Sequence, residues 1–240
     1  MNAVGVVAAL EAEARTLGAA VRRRDGLSSL RDGALLAVGG MGGAAAATAA
    51  RRLVDAGAAA LMSFGLAGGL DPSLAAGSVV MPGEVVSTDG ARFLTSAGWC
   101  GQLRLAIIGL GPISCGTLLS VSQPIGGIAD KARAFRETGA VAADMESVAV
   151  AQVAVLHNLP FVAVRVIVDS ALDALPPAVM AASREGRLSM RRLIGGLAAA
   201  PQDLFSLLRL AKRYRTATRS LTALARTDLL APLGAGAHAA

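Results

Sequence analysis

Acidic side chains border apolar segments of this chain, and carboxylates can bind sugar hydroxyls or transfer protons. Asp144 and Glu146 stand two residues apart, ahead of an apolar run. A carboxylate has two oxygens, so Glu146 can accept hydrogen bonds from two adjacent hydroxyls. The same spacing suits a helix start, with Asp144 as the N-cap and Glu146 in the first turn. The spacing by itself leaves diol binding and helix capping open.

Another acidic position follows an apolar segment directly. The run Val162–Val168 is followed by Asp169 and Ser170. Parallel sheets bind ligands at the carboxyl ends of their strands, so Asp169 suits a functional acid as well as a turn-starting aspartate. Glu11 and Glu13 follow the first apolar run of the chain in the same way. We expect one of these two glutamates to face solvent and the other to lie at the same strand-end crevice.

A glycine-rich turn matches part of a dinucleotide-binding fingerprint. Gly40, Gly42 and Ala45 fit the pattern G-x-G-x-x-A between a predicted strand and a predicted helix. The next predicted strand, Ala60–Phe64, ends without the acidic residue that would bind a ribose 2′-hydroxyl. The pattern therefore argues against NAD binding. Backbone N–H groups of this turn and of Gly65–Gly69 can still cradle an anion or a ribose.

Apolar runs with strand character alternate with helical segments over the first three quarters of the chain. This alternation predicts an α/β fold with a largely parallel sheet covered on both faces. The predicted strands are Val4–Ala8, Leu35–Val38, Ala60–Phe64, Ser78–Met81, Leu105–Ile108, Thr117–Val121 and Phe161–Val168. The predicted helices are Glu11–Ala20, Ala44–Ala56, Ala129–Thr138 and Asp144–His157. Turn glycines at Gly39–Gly43 and Gly65–Gly69 separate the first of these elements.

The distribution of charge divides the chain in two. Residues 1–183 carry 13 basic and 14 acidic side chains, whereas residues 184–240 carry 10 basic and 3 acidic ones. We predict an α/β domain over residues 1–183, a basic helical extension over 184–230 and a frayed tail over 231–240. Because the predicted domain is nearly neutral and the net positive charge belongs to the extension, we expect no nucleic-acid partner.

Two cysteines and two histidines limit the metal and redox chemistry of the chain. They are too few for a disulfide framework or a zinc cage, so we expect Cys100 and Cys115 to be buried thiols and expect no metal site. Acidic residues interrupt the first apolar run, unlike in a signal peptide. The uncharged stretch Leu105–Ala129 holds prolines and many glycines, which favour strands and turns over a membrane span. We expect a soluble, cytoplasmic protein.

The basic extension contains one amphipathic segment, residues 204–221. Its apolar side chains share one helical face and its basic side chains the other. The apolar set is Leu204, Leu207, Leu210, Ala211, Tyr214 and Leu221, and the basic set is Arg209, Lys212, Arg213, Arg215 and Arg219. Such a helix can pack on the domain, pack on a partner subunit or rest on an anionic membrane. The sequence leaves these placements open.

Four segments together resemble the superfamily of nucleoside phosphorylases and methylthioadenosine/adenosylhomocysteine nucleosidases. They are GVVAALEAEA at Gly5–Ala14, SFGLAGGL at Ser63–Leu70, ADMESVAVA at Ala143–Ala151 and PFVAVRVIVDSA at Pro160–Ala171. They occur in the family's order and at its spacing. The resemblance implies a three-layer α/β/α fold with a mixed, mostly parallel central sheet and a helical C-terminal extension. It also implies a homodimer or higher homo-oligomer that needs no cofactor.

The resemblance implies roles for individual residues in cleaving the N-glycosidic bond of a purine nucleoside. Glu146 would bind the ribose 2′- and 3′-hydroxyls, with Met145 packed against the sugar. Asp169 would protonate N7 of the purine, and Glu13 would activate the attacking water. An oxocarbenium-like transition state needs such a neutralised leaving group and a nucleophile on the opposite face. Further substrate contacts would come from Leu66, Ala67, Gly68 and Ser170.

Departures from the family's pattern bear on the nucleophile. Neither Gly39–Gly43 nor Gly65–Gly69 contains an arginine to clamp phosphate, as many true phosphorylases have. This absence favours hydrolysis over phosphorolysis, in which phosphate would be a co-substrate. The three carboxylates Glu13, Glu146 and Asp169 together favour an enzyme over a non-catalytic nucleoside-binding protein, because a binding protein needs no acid at N7.

The subgroup of hopanoid-associated phosphorylases resembles the chain more closely. It shares GTLLSVSQPI at residues 116–125, DMES at 144–147, DSALDALPP at 169–177 and a basic helical C-terminal extension. The resemblance implies release of adenine from adenosylhopane, a nucleoside with a polycyclic lipid at its 5′ carbon. The short region Ser87–Gly116 would then leave the 5′ side of the site open. Contact between the basic helix and a membrane would suit such a lipid-tailed substrate.

Overall fold

The computed structural model of the protein describes residues 3–18, 21–22, 25–176, 179–180 and 203–230. The strands are β1 Ala3–Ala8, β2 Val21–Arg22, β3 Ser28–Ser29, β4 Leu35–Val38, β5 Ala58–Gly69, β6 Val79–Val80, β7 Glu84–Ser87, β8 Arg92–Leu94, β9 Ile113–Ser114, β10 Leu118–Ser120, β11 Ala142–Asp144 and β12 Phe161–Asp169. The helices are α1 Glu11–Thr16, α2 Gly43–Asp55, α3 Ala97–Ala106, α4 Ile128–Thr138, α5 Ser147–Leu156 and α6 Asp203–Ala225. The domain boundary predicted at residue 183 and the tail predicted at 231–240 lie outside the described residues.

The strands join in one mixed sheet whose longest pairings are parallel, as the sequence predicts. The long strand β5 lies at its centre. β1 runs parallel to the first half of β5, and β12 runs parallel to β5 from Leu61 to Gly68. β11 pairs antiparallel with the end of β5, at Gly68 and Gly69. The carboxyl ends of β1, β5, β11 and β12 therefore meet in one region of the molecule.

Helices cover both faces of the sheet, which gives the three layers. Successive residues of a strand point to opposite faces. On β12, Val162 and Val164 pack in the core beneath α3 and α6, whereas Ala163 and Ile167 pack in the core beneath α2 and α5. Arg165 shares the alternation of Ala163 and Ile167, so it lies on the α5 side. The expected α/β/α architecture is confirmed.

The strand predicted at Leu105–Ile108 is wrong. Residues 97–106 form helix α3, which begins where the Ser96 hydroxyl accepts a hydrogen bond from the Trp99 amide. Trp99 and Leu103 are buried one helical turn apart, whereas Leu105 and Ile108 are 71% and 74% exposed. A short apolar run does not distinguish a strand from a helix. Here the buried tryptophan and the capping serine decide in favour of the helix.

Two further boundaries differ from prediction. Gly65–Gly69 is not a turn, because β5 continues through it and stays paired with β12. Helix α5 begins at Ser147 rather than at Asp144, which ends strand β11. The N-cap of α5 is Glu146, without a side-chain capping bond. Asp144 still bonds to the start of the helix, because its Oδ2 accepts a hydrogen bond from the Ser147 amide at 3.1 Å, so the capping interpretation is wrong only in where the helix begins.

Helix α6 packs on the domain, against β12 and α1. Its buried side chains include Ala217, Leu221 and Leu224, which join the core beneath it. Among the described residues, no helix combines the length and the apolar character needed to cross a membrane. Cys100 is buried, but Cys115 is exposed, so the expectation of two buried thiols holds for Cys100 alone.

Candidate active site

A cavity of about 540 Å³ lies at the carboxyl ends of the central strands, beside α6. This volume is in the range of small-molecule sites. Seven of the eight residues predicted for the site line it: Glu13, Leu66, Ala67, Gly68, Met145, Glu146 and Asp169. The eighth, Ser170, is not in the wall, because its hydroxyl donates to Asp173 Oδ2 at 2.7 Å. Within the described residues, no cluster of acidic, histidine and cysteine side chains has a metal-binding arrangement.

Glu13 is held by three backbone amides and is 4% exposed. Its Oε2 accepts hydrogen bonds from the amides of Ala9 at 3.0 Å and Leu10 at 2.9 Å. Its Oε1 accepts one from the amide of Leu66 at 2.9 Å, which ties α1 to strand β5. Burial raises the pKa of Glu13, and the nearby Arg165 opposes that shift. A carboxylate with a raised pKa is a stronger base near neutral pH.

Glu146 is oriented by the glycine turn that resembles a dinucleotide fingerprint. The amide of Gly42 donates to Glu146 Oε1 at 2.8 Å, and the amide of Met145 donates to Oε2 at 3.3 Å. Gly42 has a φ of 92°, a left-handed conformation that favours glycine. Burial and the neighbouring Asp144 raise the pKa of Glu146 to about 7. The turn thus serves to position a carboxylate.

Arg165 forms a buried network behind Glu146 that the sequence analysis did not identify. Its Nε donates to Asp144 Oδ2 at 2.8 Å, and its Nη2 donates to the hydroxyls of Ser63 at 2.6 Å and Ser147 at 3.1 Å. Nη2 also lies 3.9 Å from Glu146 Oε2. Burial disfavours the charged guanidinium, but Asp144 and Glu146 keep its pKa raised. Arg165 is a single cation that balances several buried carboxylates.

Asp169 is paired with Lys131, another residue that the sequence analysis missed. Lys131 Nζ donates to Asp169 Oδ2 and forms an ion pair with it. Lys131 is 1% exposed and Asp169 is 4% exposed. Burial raises the pKa of Asp169, and Lys131 opposes that shift. A lone lysine at the start of a predicted helix gave no local signal of this contact.

Helix α6 closes one side of the cavity. Leu210, Ala211, Tyr214 and Arg215 contribute to the wall. The short region Ser87–Gly116, which we expected to leave the 5′ side of the site open, contributes no residue to the cavity wall. The apolar face predicted for the amphipathic helix therefore lines the cavity through its middle residues. The side chains of Leu204 and Leu207, predicted on the same face, lie outside the described part.

An ion pair joins α6 to the loop that follows Asp169. Arg213 Nη2 lies 2.6 Å from Asp173 Oδ1, and Asp173 Oδ2 accepts hydrogen bonds from the amide and the hydroxyl of Ser170. Asp173 therefore links the helix to the residue beside the candidate acid. The hydroxyl of Ser170, which was predicted to contact the substrate, is bonded within this loop.

The chain belongs to the phosphorylase superfamily. The family's sequence profile matches residues 27–194, more than half of the chain. This range includes Glu146, Asp169 and both missed cations, Lys131 and Arg165. Glu13 precedes the matched range. A comparison with curated proteins found no match.

Solved structures share this fold over nearly the whole chain. The 5′-methylthioadenosine/S-adenosylhomocysteine nucleosidase of Neisseria meningitidis, in complex with methylthio-immucillin-A, superposes with a TM-score of 0.69 at 22% identity, covering 93% of this chain and 96% of that one. The futalosine hydrolase of Helicobacter pylori superposes with a TM-score of 0.66 at 16% identity, covering 93% and 97%. At these identities the likeness shows the fold.

Proposed function

We propose that this protein cleaves the N-glycosidic bond of a purine nucleoside by hydrolysis and releases adenine. The observation that carries the proposal is the convergence of Glu13, Glu146 and Asp169, from three separate elements, on one cavity. All three are buried, and burial raises the pKa of each. Perturbed carboxyl groups that share a cleft are typical of acid–base catalysis.

Glu146 binds the ribose in this proposal. The protein supplies two amide donors to its two oxygens, which leaves acceptor positions for two hydroxyls. The 2′- and 3′-hydroxyls of a ribose present two donors at that spacing. Met145 lines the cavity beside Glu146 and provides an apolar contact for the sugar ring.

Asp169 acts at the base. As the bond from C1′ to N9 breaks, electrons move into the purine, and a proton from Asp169 to N7 neutralises the leaving group. Only one oxygen of Asp169, Oδ2, is bound by Lys131. The other oxygen is the one that we assign to N7. Gly68 has no side chain, and a Cβ atom at this position would lie 3.4 Å from Asp169 Oδ2. The glycine therefore leaves room for the carboxyl group.

Glu13 activates the nucleophile. A carboxylate has about four acceptor positions, and three backbone amides occupy three of them, so one position is left for water. The water adds its oxygen to C1′ and passes a proton to Glu13. An ionised Glu13 would repel phosphate, which favours water as the nucleophile. Phosphorolysis is the alternative that the product analysis below tests.

The 5′ side of the nucleoside is assigned to the apolar part of the wall. Leu66, Leu70, Ile125, Leu175 and Leu210 line it. These side chains favour an apolar 5′ substituent, such as the hopanoid lipid of adenosylhopane, over a charged one. Among the solved relatives, the Neisseria enzyme is in complex with methylthio-immucillin-A, which has a small 5′ substituent in place of a lipid.

Product analysis tests the reaction. Adenine release from the purified protein should be independent of phosphate and should yield free ribosyl product; formation of ribosyl-1-phosphate would instead establish phosphorolysis. The variant Asp169→Asn should lower kcat by about 10²- to 10⁴-fold while substrate binding is retained. Unchanged adenine release by this variant would remove Asp169 from the mechanism.

A comparison of substrates tests the 5′ substituent. We expect a higher kcat/KM with adenosylhopane than with methylthioadenosine. Turnover of methylthioadenosine alone would contradict the lipid assignment but leave the nucleosidase activity in place.

We further propose that the basic side of α6 contacts an anionic membrane. Arg209, Lys212, Arg215 and Arg219 are exposed along the helix, and each cation near such a surface contributes about 1 kcal/mol. Flotation with anionic liposomes at low and high salt measures this contact, and a variant with Arg209→Gln, Lys212→Gln and Arg219→Gln should bind more weakly. Absence of binding at low salt would contradict it.

A further inference from the structure

Lys131 is buried in an unusual position for a lysine. It lies in the first turn of α4, where the helix dipole opposes a positive charge, and it is 1% exposed. Lysine is almost never fully buried unless its charge is paired. The surrounding contacts must therefore offset the free energy lost by burying this amine.

The ammonium group of Lys131 has all of its donors in use. Nζ donates to Asp169 Oδ2, to the backbone oxygen of Ser170 at 2.8 Å and to the backbone oxygen of Asp173 at 3.0 Å. Three acceptors match the three N–H groups of a charged ammonium, whereas a neutral amine has only two. Lys131 is therefore fixed by three hydrogen bonds to the loop that carries Asp169.

We infer that Lys131 is a positioning residue for the candidate acid, which it holds by Oδ2 so that the other carboxyl oxygen is presented to the purine. The inference rests on the proposed function, since it concerns how Asp169 delivers its proton. Lys131 acts through Asp169 and through the two carbonyls that fix the loop. It also sets the pH range over which Asp169 keeps a proton.

Three charged groups face Asp169 from the elements packed around it. Burial raises the pKa of Asp169; Lys131 from α4 and Arg213 from α6 lower it, and Asp173 from the loop raises it. Lys131 is the largest of the lowering influences. Removing its charge should therefore raise the pKa of Asp169, so the acid keeps its proton to higher pH.

Kinetics of the intact protein test this role. In Lys131→Met, kcat should fall on the order of 10²-fold because the carboxyl group is no longer aimed. The alkaline limb of the kcat/KM profile, where the acid loses its proton, should move to higher pH. Lys131→Arg keeps the charge and should restore the position of that limb. Arg133→Met, which removes an exposed cation from the same helix, should change neither quantity.

A double-mutant cycle separates positioning from a general structural effect. If Lys131 acts through Asp169, adding Lys131→Met to Asp169→Asn should lower kcat no further. Additive losses, or a lower kcat in Lys131→Met with an unshifted pH profile, would overturn the inference. Lys131→Gln serves as a second neutral variant if Lys131→Met does not fold, and the same shift is expected.

An infrared titration measures the same coupling without turnover. The carboxylic-acid C=O band that is lost in Asp169→Asn should persist to higher pH in Lys131→Met than in the wild-type protein. An unchanged midpoint would overturn the inference even if the wild-type protein releases adenine. If the wild-type protein releases no purine, the proposed function fails, and the titration still decides whether Lys131 controls the proton on Asp169.

Discussion

Glu146 is buried, which disfavours its charged form, although the ribose binding that we propose for it needs the carboxylate. As a carboxylate it accepts two hydroxyl donors, and as a neutral acid it loses part of that capacity. Its pKa of about 7 reflects burial first and the neighbouring Asp144 second. Arg165 and the amide of Gly42 favour the ionised form. The group that we propose to bind the ribose therefore has a pKa close to neutral pH.

This titration predicts a pH dependence of substrate binding. Because the pKa of Glu146 is raised, the residue gains a proton as the pH falls through about 7, and the nucleoside then binds more weakly. KM should rise as the pH falls below about 7 and should level off about 10- to 100-fold higher once Glu146 is protonated. Steady-state kinetics between acid and alkaline pH measure the effect.

The variant Glu146→Gln provides the control for this assignment. It should weaken binding by about 10- to 100-fold, as expected for lost hydrogen bonds to a charged group, and should abolish the acid-side rise in KM. Glu137→Gln, an exposed change on α4, should leave the profile as in the wild-type protein. A wild-type KM that stays constant across pH would contradict the role of Glu146.

At the scale of elements, β5 and α1 are joined at a point where only glycine fits. A Cβ atom at Gly65 would lie 2.6 Å from Glu13 Oε1 and 2.7 Å from Arg165 Nη1. Gly65 is therefore required for close approach of two charged groups, within a continuous strand. In the sequence these glycines suggest a turn. In the structure they lie within a continuous strand, and Gly65 leaves space for the side chains of Glu13 and Arg165.

The substitution Gly65→Ala should disturb both stability and catalysis. Overpacking should lower the free energy of unfolding by about 1–3 kcal/mol, and displacement of Glu13 should lower kcat. Denaturant unfolding and adenine release measure the two effects. The matched control is Gly101→Ala in α3, where the added Cβ meets no atom within 4 Å. That change should preserve kcat and stabilise the helix by about 0.5–1 kcal/mol. Equal changes in kcat and in the free energy of unfolding for the two variants would contradict the role of Gly65.

At the scale of the whole molecule, Arg165 connects the fold to the site. It extends from β12 and contacts Asp144 of β11, Ser63 of β5 and Ser147 of α5. Every buried side-chain polar atom in the described part of the chain has a partner. Removing Arg165 would therefore leave Asp144 buried without its cation.

We predict that Arg165→Met lowers the free energy of unfolding by about 3–5 kcal/mol, the usual cost of breaking a buried ion pair on one side. Adding Asp144→Asn should recover part of this loss, because it removes the uncompensated charge that lay closest to Arg165. Denaturant unfolding of the single and double variants measures both. Arg92→Met, which breaks an exposed pair with Glu84, should change stability little. A loss that the second substitution does not reduce would contradict the charge argument.

Local sequence predicts the parts of this protein that depend on short-range pattern. Strands such as Leu35–Val38 are visible because buried strands need continuous apolar residues, and Asp169 is visible because it ends such a run. The same pattern misleads at residues 105–108, where the apolar run belongs largely to the end of an amphipathic helix and the turn after it. It also misleads at Gly65–Gly69, where glycine serves packing.

The sequence singles out Glu146 and Asp169 as candidates by their positions, and the resemblance to the family selects Glu13 over Glu11; the structure brings all three to one cavity. Their partners could not be identified from the sequence. Lys131 lies 38 residues from Asp169, and Arg165 lies 21 residues from Asp144. Ion pairs between distant segments leave no pattern in the chain, since they depend on which strands become neighbours. Only the tertiary structure decides which cations lie beside the carboxylates. Burial raises the pKa of each carboxyl group and the neighbouring cation lowers it, so the pKa values also depend on the tertiary structure.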